Sequence, residues 1–340
     1  MRIILSRTDS IGDVVLTLPM AGVLKQNFPD AVLIFLGRDY TRPVVELSRF
    51  IDRFVSWDEI AAARDKRSKI DFLARLEADV VIHVFPVKEI CRVAKQAGIP
   101  LRIATARRYF TWTTCNRLMH IPRRNSKLHE AQLNLKMLRP LGIDRPFHLD
   151  EIPPFYGISP SRVPRPETVQ PAGLVHHQDN TMVTVILHPK SKGSAREWGL
   201  PNYSKLIGLL PEKKFRIFIT GTAEEGAQME DFLRNHASRV IDMTGKLNLS
   251  ELISLIGVSD ALVAASTGPL HIAAALGIHA IGIYAPMRPI FPQRWAPVGV
   301  NADHLVLEKK CNDCRKTMDC HCIRSITPES VALKLTTLGI

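Results

Sequence analysis

The sequence predicts an α/β protein of two doubly wound domains, each with a parallel sheet. Its 340 residues exceed what one hydrophobic core usually organises. Short apolar runs alternate with segments of helical periodicity in both halves. A stretch with six prolines, residues 152–171, lies between the halves and is predicted to be the linker. We therefore predict domains over residues 1–160 and 161–325, followed by a helix within residues 326–340.

The first half opens with strand, loop and helix. Ile3–Ser6 is an apolar run that ends at a turn, and Asp13–Leu24 follows with apolar residues at helical spacing, stopping near Pro29. Ala31–Leu36 predicts a second strand. Asp79–Phe85 is a continuous apolar run of the kind buried on both faces of a parallel sheet. These elements predict that the first half is α/β.

The same alternation restarts after the proline-rich stretch. Strands are predicted at Met182–Leu187, Phe215–Thr220, Ala261–Ala265 and Ala280–Tyr284. Helices are predicted at Tyr203–Leu210, Glu224–Asn235, Ser250–Ile256, Leu270–Leu276 and Pro328–Leu338. Thr327 is the expected N-cap of the last helix. The pattern is that of a second doubly wound domain.

Composition and patterning exclude several classes of protein. With 46% hydrophobic and 23% charged residues and no low-complexity tract, the chain is not disordered. The apolar run Ile3–Leu5 is too short for a signal-peptide core. The long charge-free stretch Ala261–Met287 contains glycine, proline and histidine, which a membrane-spanning helix would not favour. We therefore expect a cytoplasmic protein without a transmembrane segment.

The net charge of +12 is concentrated in one segment. No acidic residue occurs between Glu89 and Glu130, where nine basic residues lie: Arg92, Lys95, Arg102, Arg107, Arg108, Arg117, Arg123, Arg124 and Lys127. Such a segment creates a positive local field. The field suits nucleic acid, an anionic membrane surface or an anionic acceptor, and a solvated basic face is the alternative.

Four of the six cysteines cluster near the C-terminus, at Cys311, Cys314, Cys320 and Cys322. In a cytoplasmic protein such clustering indicates zinc before a disulfide. The spacing lacks the longer loop of common zinc ribbons, so free or redox-sensitive thiols are favoured. We predict no metal and no cofactor, with these four cysteines as the alternative metal site.

The loop after the first strand, residues 6–13, carries a candidate general base. Ligands of open α/β sheets bind beyond the carboxyl ends of the strands, so Asp13 is expected in a cleft. At a helix N-terminus its carboxylate is favoured in the ionised form and can accept a proton. Helix capping is the more common role of aspartate there. The loop lacks Gly-x-Gly-x-x-Gly, which argues against a nicotinamide or flavin domain.

Two loops of the second half have residues that suit a bound diphosphate. Ser266-Thr-Gly-Pro-Leu-His271 offers hydroxyls, a glycine and free N–H groups where a helix begins. His271 is placed to face a phosphate, with a structural histidine as the alternative. Lys192 and Arg196 follow another strand and are positioned to neutralise a leaving diphosphate, unless they belong to a solvated cationic loop.

Together these motifs resemble glycosyltransferase family 9, which contains the ADP-heptose:lipopolysaccharide heptosyltransferases. The resemblance rests on Ile-Gly-Asp-Val-Val-Leu-Thr-Leu-Pro at residues 11–19, Arg196-Glu-Trp198, Thr220-Gly221 with Glu225, and Ser266–His271. It implies a GT-B fold, with two Rossmann-like domains facing a cleft. It also implies an inverting, metal-independent transfer of heptose from ADP-heptose to the inner core of lipopolysaccharide.

The resemblance implies a role for each site residue. Asp13 is the base that deprotonates the acceptor hydroxyl. The donor binds in the C-terminal domain, at Lys192, Arg196, Thr220, Glu225, Met243, Ser266, Thr267, Gly268 and His271. The acceptor binds in the N-terminal domain, at Arg7, Gly12, Arg107, Arg108, Arg123 and Arg124. The expected partners are the nucleotide-sugar, the lipopolysaccharide acceptor and the anionic inner face of the inner membrane, but no nucleic acid.

Two positions depart from the family pattern. Ser266 stands where an aspartate is usual beside the donor sugar, and Arg7 replaces a frequent lysine. Another nucleotide-sugar is therefore the nearest alternative donor. A nucleotide-sugar epimerase is a second alternative and would turn over the donor without an acceptor. A non-catalytic polyanion-binding protein is the third, and its binding would depend steeply on salt.

Overall fold

The computed structural model describes residues 1–63, 65–123, 126–159, 163, 182–308 and 319–338. The chain divides into two compact units, which we call unit 1 (Met1–Ile158) and unit 2 (Ser159–Ile340). Most of the predicted linker, residues 160–162 and 164–171, lies outside the described residues. In the described ranges no helix is both long and apolar enough to cross a membrane.

Unit 1 contains a parallel sheet. Its strands are β1 (Arg2–Ser6), β2 (Val32–Gly37), β3 (Arg53–Ser56), β4 (Val80–His83), β5 (Leu101–Thr105) and β6 (Arg117–Met119). They pair in parallel in the order β3-β2-β1-β4-β5-β6. The order reverses between β1 and β4, which is the switch point where doubly wound sheets bind ligands. The predicted fold of the first half is confirmed.

Eight α-helices surround this sheet among the described residues of unit 1. They are α1 (Ile11–Val15), α2 (Pro19–Asn27), α3 (Arg42–Val45), α4 (Trp57–Ala61), α5 (Lys66–Ala74), α6 (Lys88–Gln96), α7 (Tyr109–Thr114) and α8 (Glu130–Leu135). The prediction of one helix over Asp13–Leu24 is wrong. Pro19 starts a second helix, because proline lacks the N–H that a continuing helix needs but fits the first helical turn.

A glycine lets the end of unit 1 pack against its beginning. A Cβ added to Gly22 in α2 would lie 2.4 Å from the carbonyl oxygen of Phe155. Phe155 belongs to a short 3-10 helix, Pro153–Tyr156. The Ser48 hydroxyl donates to the Tyr156 carbonyl at 2.7 Å in the same buried region. Only a residue without a side chain permits this close approach of backbone to α2.

Unit 2 repeats the architecture. Its strands are β7 (Val183–His188), β8 (Phe215–Ile219), β9 (Val240–Asp242), β10 (Ala261–Ala265), β11 (His279–Tyr284) and β12 (Ala302–Val306). They pair in parallel in the order β12-β11-β10-β7-β8-β9. The switch point lies between β7 and β10. The second doubly wound sheet is therefore confirmed as well.

The described helices of unit 2 include two short ones that were not predicted, residues 292–295 and 321–324, and one predicted helix is divided in two. The helices are α9 (Leu200–Leu209), α10 (Ala223–Ala227), α11 (Glu230–Asn235), α12 (Leu249–Gly257), α13 (Gly268–Leu276), α14 (Pro292–Trp295), α15 (His321–Arg324) and α16 (Pro328–Thr336). The single helix predicted over Glu224–Asn235 is wrong. The N–H of buried Met229 donates to Gly226 three residues back, at 2.9 Å, which tightens the turn and separates α10 from α11.

The C-terminal helix is anchored to the loop that follows β7. Trp198 is fully buried, and its indole Nε1 donates to the carbonyl oxygen of Ile326 at 2.8 Å. Its ring meets Tyr203 of α9 edge to face, with centroids 4.9 Å apart. Thr327 accepts a hydrogen bond from the Ser330 N–H at 3.3 Å, which confirms it as the N-cap of α16. The loop after β7 is thereby held by α9 and by the turn between α15 and α16.

Candidate active site

A buried arginine organises the loop after β1. Arg7 is only 3% exposed, and its Nε donates to the Asp9 carboxylate at 2.6 Å. Its Nη2 donates to the Asp13 carboxylate, and its Nη1 lies 3.9 Å from Glu130 Oε1. Buried arginine is stable only when such partners compensate its lost hydration. Arg7 therefore holds two loop carboxylates in fixed positions beside the switch point.

Asp13 is the third residue of α1 and does not occupy the capping position. The N-cap is Ser10, whose hydroxyl donates to Asp13 Oδ2 at 2.6 Å. Gly12 is buried beside it, whereas the Asp13 side chain is 18% exposed. A carboxylate with two side-chain donors and a solvent-accessible edge can receive a proton from a bound hydroxyl.

Asp9 and Tyr40 complete this group, although the sequence did not single them out. Burial raises the pKa of Asp9, opposed by the Arg7 charge and assisted by the neighbouring Asp13 carboxylate. The Tyr40 hydroxyl donates to the Asp9 carbonyl, and burial together with the Asp9 charge raises its pKa, so it remains a neutral donor. The available signal was the position of Asp9 within the same loop as Asp13.

A buried polar network connects α8 to this loop. Glu130 is 2% exposed and accepts a hydrogen bond from Arg123. Arg123 also donates to Asn134 Oδ1 at 3.0 Å, and Asn134 Nδ2 donates to the Leu16 carbonyl at 3.0 Å. Arg123 was predicted to bind the acceptor, but its partners Glu130 and Asn134 were missed. Because these residues lie far from Leu16 in sequence, no local pattern indicates the contact.

The other predicted acceptor residues lie near β4 and β5. The Arg108 guanidinium lies 4.8 Å from the ring centroid of Phe85, and the Arg7 guanidinium lies 5.9 Å from the same centroid. Arg107 is exposed and, with residues 119–123, lines a cavity of about 250 Å³. Arg124 lies outside the described residues. Arg7, Arg108 and the cavity thus form one basic region at the carboxyl end of the sheet.

The turn after β10 in unit 2 has the features of an anion site. Thr267 is the N-cap of α13, and Gly268 and Pro269 are its first residues. The buried Thr267 Oγ1 has no hydrogen-bond partner among the described residues. The first N–H groups of a helix also lack intrahelical partners and carry a partial positive charge. His271 is buried in the same first turns. Half-buried Ser266 precedes them.

The loop after β7 lies next to this turn because β7 pairs with β10. His188 Nδ1 lies 2.9 Å from Thr220 Oγ1, and both side chains are buried. Burial lowers the pKa of His188, opposed by the charges of Glu225 and Glu197. A neutral imidazole paired with a hydroxyl therefore lies between the ends of β7 and β8. Thr220 was predicted as a donor residue, whereas His188 was not.

The cations of this loop differ in their surroundings. Glu197 accepts from Lys190 Nζ at 2.8 Å and from the Ser191 N–H at 3.2 Å, which folds the loop back on itself. Lys192 is exposed and has a positive φ of 46°. Arg196 is half-buried. Glu197, which carried no predicted role, therefore shapes the loop that presents the two predicted cations.

Glu225 and Met243 lie beyond the next two strands. Glu225 forms a capping box with Thr222, since its Oε2 accepts from the Thr222 N–H at 2.8 Å and its own N–H donates back at 3.3 Å. Met243 is buried and follows β9. The structure thus brings all the predicted donor residues to the carboxyl ends of four adjacent strands, β10, β7, β8 and β9.

Of the four clustered C-terminal cysteines, two lie within the part of the chain that the structure describes. Cys320 and Cys322 are buried at the start of α15 and belong to the hydrophobic core of unit 2. Cys311 and Cys314 lie outside the described residues. The alternative metal site predicted from these four cysteines stays a prediction.

Comparisons with known proteins agree with this geometry. Residues 114–322 match the family model of glycosyltransferase family 9 (heptosyltransferase). A Haemophilus influenzae protein described provisionally as a glycosyltransferase is 26% identical over 309 residues, covering 89% of this chain and 88% of that protein. Lipopolysaccharide heptosyltransferase 3 of Escherichia coli is 23% identical over 295 residues, covering 84% and 82% of the two chains.

Similarity also extends to a solved structure. The E. coli heptosyltransferase WaaC with ADP aligns with a TM-score of 0.74 and 18% identity, over 99% of each chain. This likeness confirms the predicted GT-B class of fold, with two Rossmann-like sheets. The family model covers more than half of the sequence and includes the loops after β7, β8, β9 and β10. The chain therefore belongs to glycosyltransferase family 9, the heptosyltransferase family, and is a glycosyltransferase.

Proposed function

We propose that this enzyme transfers heptose from ADP-heptose to an inner-core sugar of lipopolysaccharide, with inversion at the anomeric carbon and without a catalytic metal ion. The observation that carries the proposal is the Asp13 carboxylate, held by Arg7 and Ser10 at the switch point of unit 1. The similarity to E. coli lipopolysaccharide heptosyltransferase 3 supports the substrate class. The solved WaaC complex with ADP supports the choice of nucleotide.

In the proposed reaction Asp13 is the general base. Its carboxylate removes the proton from the acceptor hydroxyl while that oxygen attacks the anomeric carbon of the donor. A bond forms between the acceptor oxygen and the anomeric carbon, and the bond to the diphosphate oxygen breaks. Attack from the face opposite the diphosphate inverts the configuration. The Arg7 ion pair keeps the carboxylate oriented during this step.

The departing ADP is proposed to be stabilised by unit 2 alone. The N-terminus of α13 and the Thr267 hydroxyl face the developing charge of the diphosphate, and Arg196 and Lys192 add cationic donors. Fixed donors of this kind act without Mg²⁺, because they already complement the negative charge. Glu225 and Met243 are proposed to contact the nucleoside, beyond the neighbouring strands.

The acceptor is proposed to bind the basic region of unit 1. Arg107 and Arg123 line the cavity of about 250 Å³, and Arg108 lies over Phe85 close to Arg7. Guanidinium groups bind phosphate and carboxylate groups through paired hydrogen bonds. A core oligosaccharide with such groups fits this region better than a neutral sugar. Gly12 and Arg7 would then position the accepting hydroxyl beside Asp13.

An anionic membrane surface is the proposed location of the reaction. Tyr109 and Trp112 of α7 are 72% and 65% exposed, and the exposed residues Arg107, Arg108 and Arg117 lie beside them in sequence. Cationic side chains bind anionic lipid headgroups, and exposed aromatic rings beside them insert at the membrane interface. We call the exposed residues Arg107, Arg108, Tyr109, Trp112 and Arg117 the α7 surface. It supports peripheral attachment of the protein near its lipid-linked acceptor.

Isothermal titration with ADP, UDP, GDP and CMP tests the donor assignment. We expect selective ADP binding that weakens at least tenfold in Arg196→Ala, because a charge-assisted hydrogen bond contributes about 1.5–3 kcal/mol. Lys213→Ala, an exposed cation in the turn before β8, is the matched control and should bind ADP normally. Preference for another nucleotide would contradict the heptose donor, and no nucleotide binding would favour the polyanion-binding alternative.

A further inference from the structure

A second group of side chains that can ligate a metal lies in unit 1 and shares no residue with the Asp13 loop. It consists of His83 at the end of β4, Cys91 in α6 and Cys115 immediately after α7, and we call it the His–Cys–Cys cluster. One imidazole nitrogen and both sulfur atoms lie within 4.8 Å of one another. These three residues are separated by long stretches of sequence, and the fold brings them together.

The surroundings of His83 are unusual for a histidine in a core. Its side chain is fully buried, and neither Nδ1 nor Nε2 has a hydrogen-bond partner among the described residues. A neutral imidazole carries one donor and one acceptor, and leaving both unsatisfied in an apolar region is unfavourable. Cys91 and Cys115 are also buried, beside Phe110 and Ala104. A cation bound by the two nearby sulfur atoms could also bind a nitrogen of this imidazole ring.

The composition and spacing of the cluster suit a thiophilic cation. Zinc binds cysteine sulfur at about 2.3 Å and histidine nitrogen at about 2.0–2.1 Å, so tetrahedral ligand atoms are separated by roughly 3.5–3.8 Å. The ligand atoms of the cluster lie within 4.8 Å of one another, so their separations exceed this spacing by about 1 Å at most. Two thiolates and a neutral imidazole together carry a charge of −2, which neutralises a divalent cation and lowers the free-energy cost of burying it.

We propose that His83, Cys91 and Cys115 form a structural site for Zn²⁺ or a similar thiophilic cation. Three protein ligands leave a fourth position for a water molecule or another small ligand. The Thr114 hydroxyl lies 3.7 Å from Cys115 Sγ and donates its proton to the Phe110 carbonyl oxygen at 2.8 Å, so it holds the end of α7 beside the cluster. The ion takes no part in glycosyl transfer. It connects β4 and α6 to the end of α7, and so braces the segment that carries Arg107, Arg108 and Trp112.

Metal titration of the full-length protein tests the site. The parent is Cys311→Ser/Cys314→Ser, which removes two thiols of the C-terminal cysteine group from the comparison. After reduction and removal of metal by a chelator, we expect this parent to bind one more equivalent of Co²⁺ or Zn²⁺ than the same protein with Cys91→Ser/Cys115→Ser. The thiolate-to-cobalt charge-transfer absorption should be weaker in the Cys91→Ser/Cys115→Ser protein, because it lacks that equivalent of bound Co²⁺. Ile90 is a buried neighbour of Cys91, and Ile90→Val is the matched control. It should keep both the bound metal equivalent and the charge-transfer absorption.

Two further measurements do not depend on the double cysteine variant folding. His83→Gln leaves both thiols and should weaken Zn²⁺ binding at least tenfold, as judged by competition with a chromophoric chelator. X-ray absorption of the zinc-loaded parent should include sulfur neighbours at about 2.3 Å and a histidine nitrogen. The proposal is overturned if reduced parent takes up no more metal than the Cys91→Ser/Cys115→Ser protein, or if it contains a Cys91–Cys115 disulfide and binds metal no better after reduction.

Discussion

The chemistry of Asp13 depends on the residues that hold it. An aspartate near the start of a helix is usually a cap, but here Ser10 occupies the N-cap position of α1 and its hydroxyl donates to the Asp13 carboxylate. Arg7 supplies the second donor from the end of β1. Because the carboxylate is not used by the helix backbone as its N-cap, it is available to a bound hydroxyl. The role of general base therefore has a structural rationale beyond sequence position.

The variant Asp13→Asn should lower kcat by about 10²–10⁴, the usual range for loss of a general base. The amide preserves shape, its single oxygen can still accept from Arg7, and its NH2 group can donate to the Ser10 hydroxyl oxygen, but it is a very weak base. The affinity for ADP should be unchanged, because the proposed donor site lies in unit 2. Steady-state transfer with saturating donor and acceptor gives kcat, and calorimetry gives the ADP affinity.

Asp9→Asn is the matched control for this experiment. Asp9 shares Arg7 with Asp13, so its variant disturbs the same ion-pair group but keeps the proposed base. We expect it to retain much more of kcat than Asp13→Asn. Equal losses in the two variants would mean that Asp13 acts only by positioning Arg7, and an unchanged kcat in Asp13→Asn would exclude the base role.

At the scale of elements, the close contact between α2 and the 3-10 helix Pro153–Tyr156 makes a clear stability prediction. Gly22→Ala places a methyl group 2.4 Å from the Phe155 carbonyl oxygen, so the backbone must move. We expect the free energy of unfolding to fall by about 1–3 kcal/mol, as in other overpacked sites. Guanidinium chloride unfolding followed by circular dichroism measures the change.

Gly208→Ala in α9 is the control for this substitution. Apart from the adjoining backbone of α9 itself, no described atom lies within 4 Å of a Cβ built at Gly208, so the added methyl meets open space. Alanine is favoured over glycine in a helix by about 1 kcal/mol at most, and the expected effect is therefore neutral or stabilising. Equal destabilisation by both substitutions would contradict the packing argument.

For the whole molecule, the net charge of +12 and its concentration in unit 1 predict how the protein meets a membrane. Co-flotation with vesicles containing phosphatidylglycerol should exceed that with phosphatidylcholine alone and should fall as salt is added. Replacing Arg108 with alanine should weaken binding about fivefold, since each basic residue near an anionic surface contributes about 1 kcal/mol. Trp112→Ser should weaken it further by removing an interfacial anchor.

Val300→Ser is the control for the aromatic part of this surface. Val300 is an exposed apolar residue of unit 2 and is distant from the α7 surface in sequence, and its replacement should leave vesicle binding unchanged. If Trp112→Ser and Val300→Ser behave alike, the α7 surface does not insert at the interface. If salt has no effect, the basic segment does not contribute electrostatic attraction.

The sequence by itself determined the fold class and the loops that carry the candidate site. Buried strands such as β10 are continuous apolar runs with turn residues at their ends, and the bounds predicted for β10 agree with the structure. Strands β3, β5, β6, β9 and β12 were not predicted, because each is at most five residues long and contains a charged residue that shortens its apolar run. Periodicity reports burial within an element, so it works best for central strands.

Only the tertiary structure decided which side chains meet. The contacts between Arg7 and Glu130, between Asn134 and Leu16, and among His83, Cys91 and Cys115 join residues from different elements. Local sequence patterns depend on neighbours within a few residues, whereas these contacts follow from strand order and helix packing. The sequence located Asp13 and the turn after β10 at strand ends, and the fold determined the donors and buried partners that give them chemical roles.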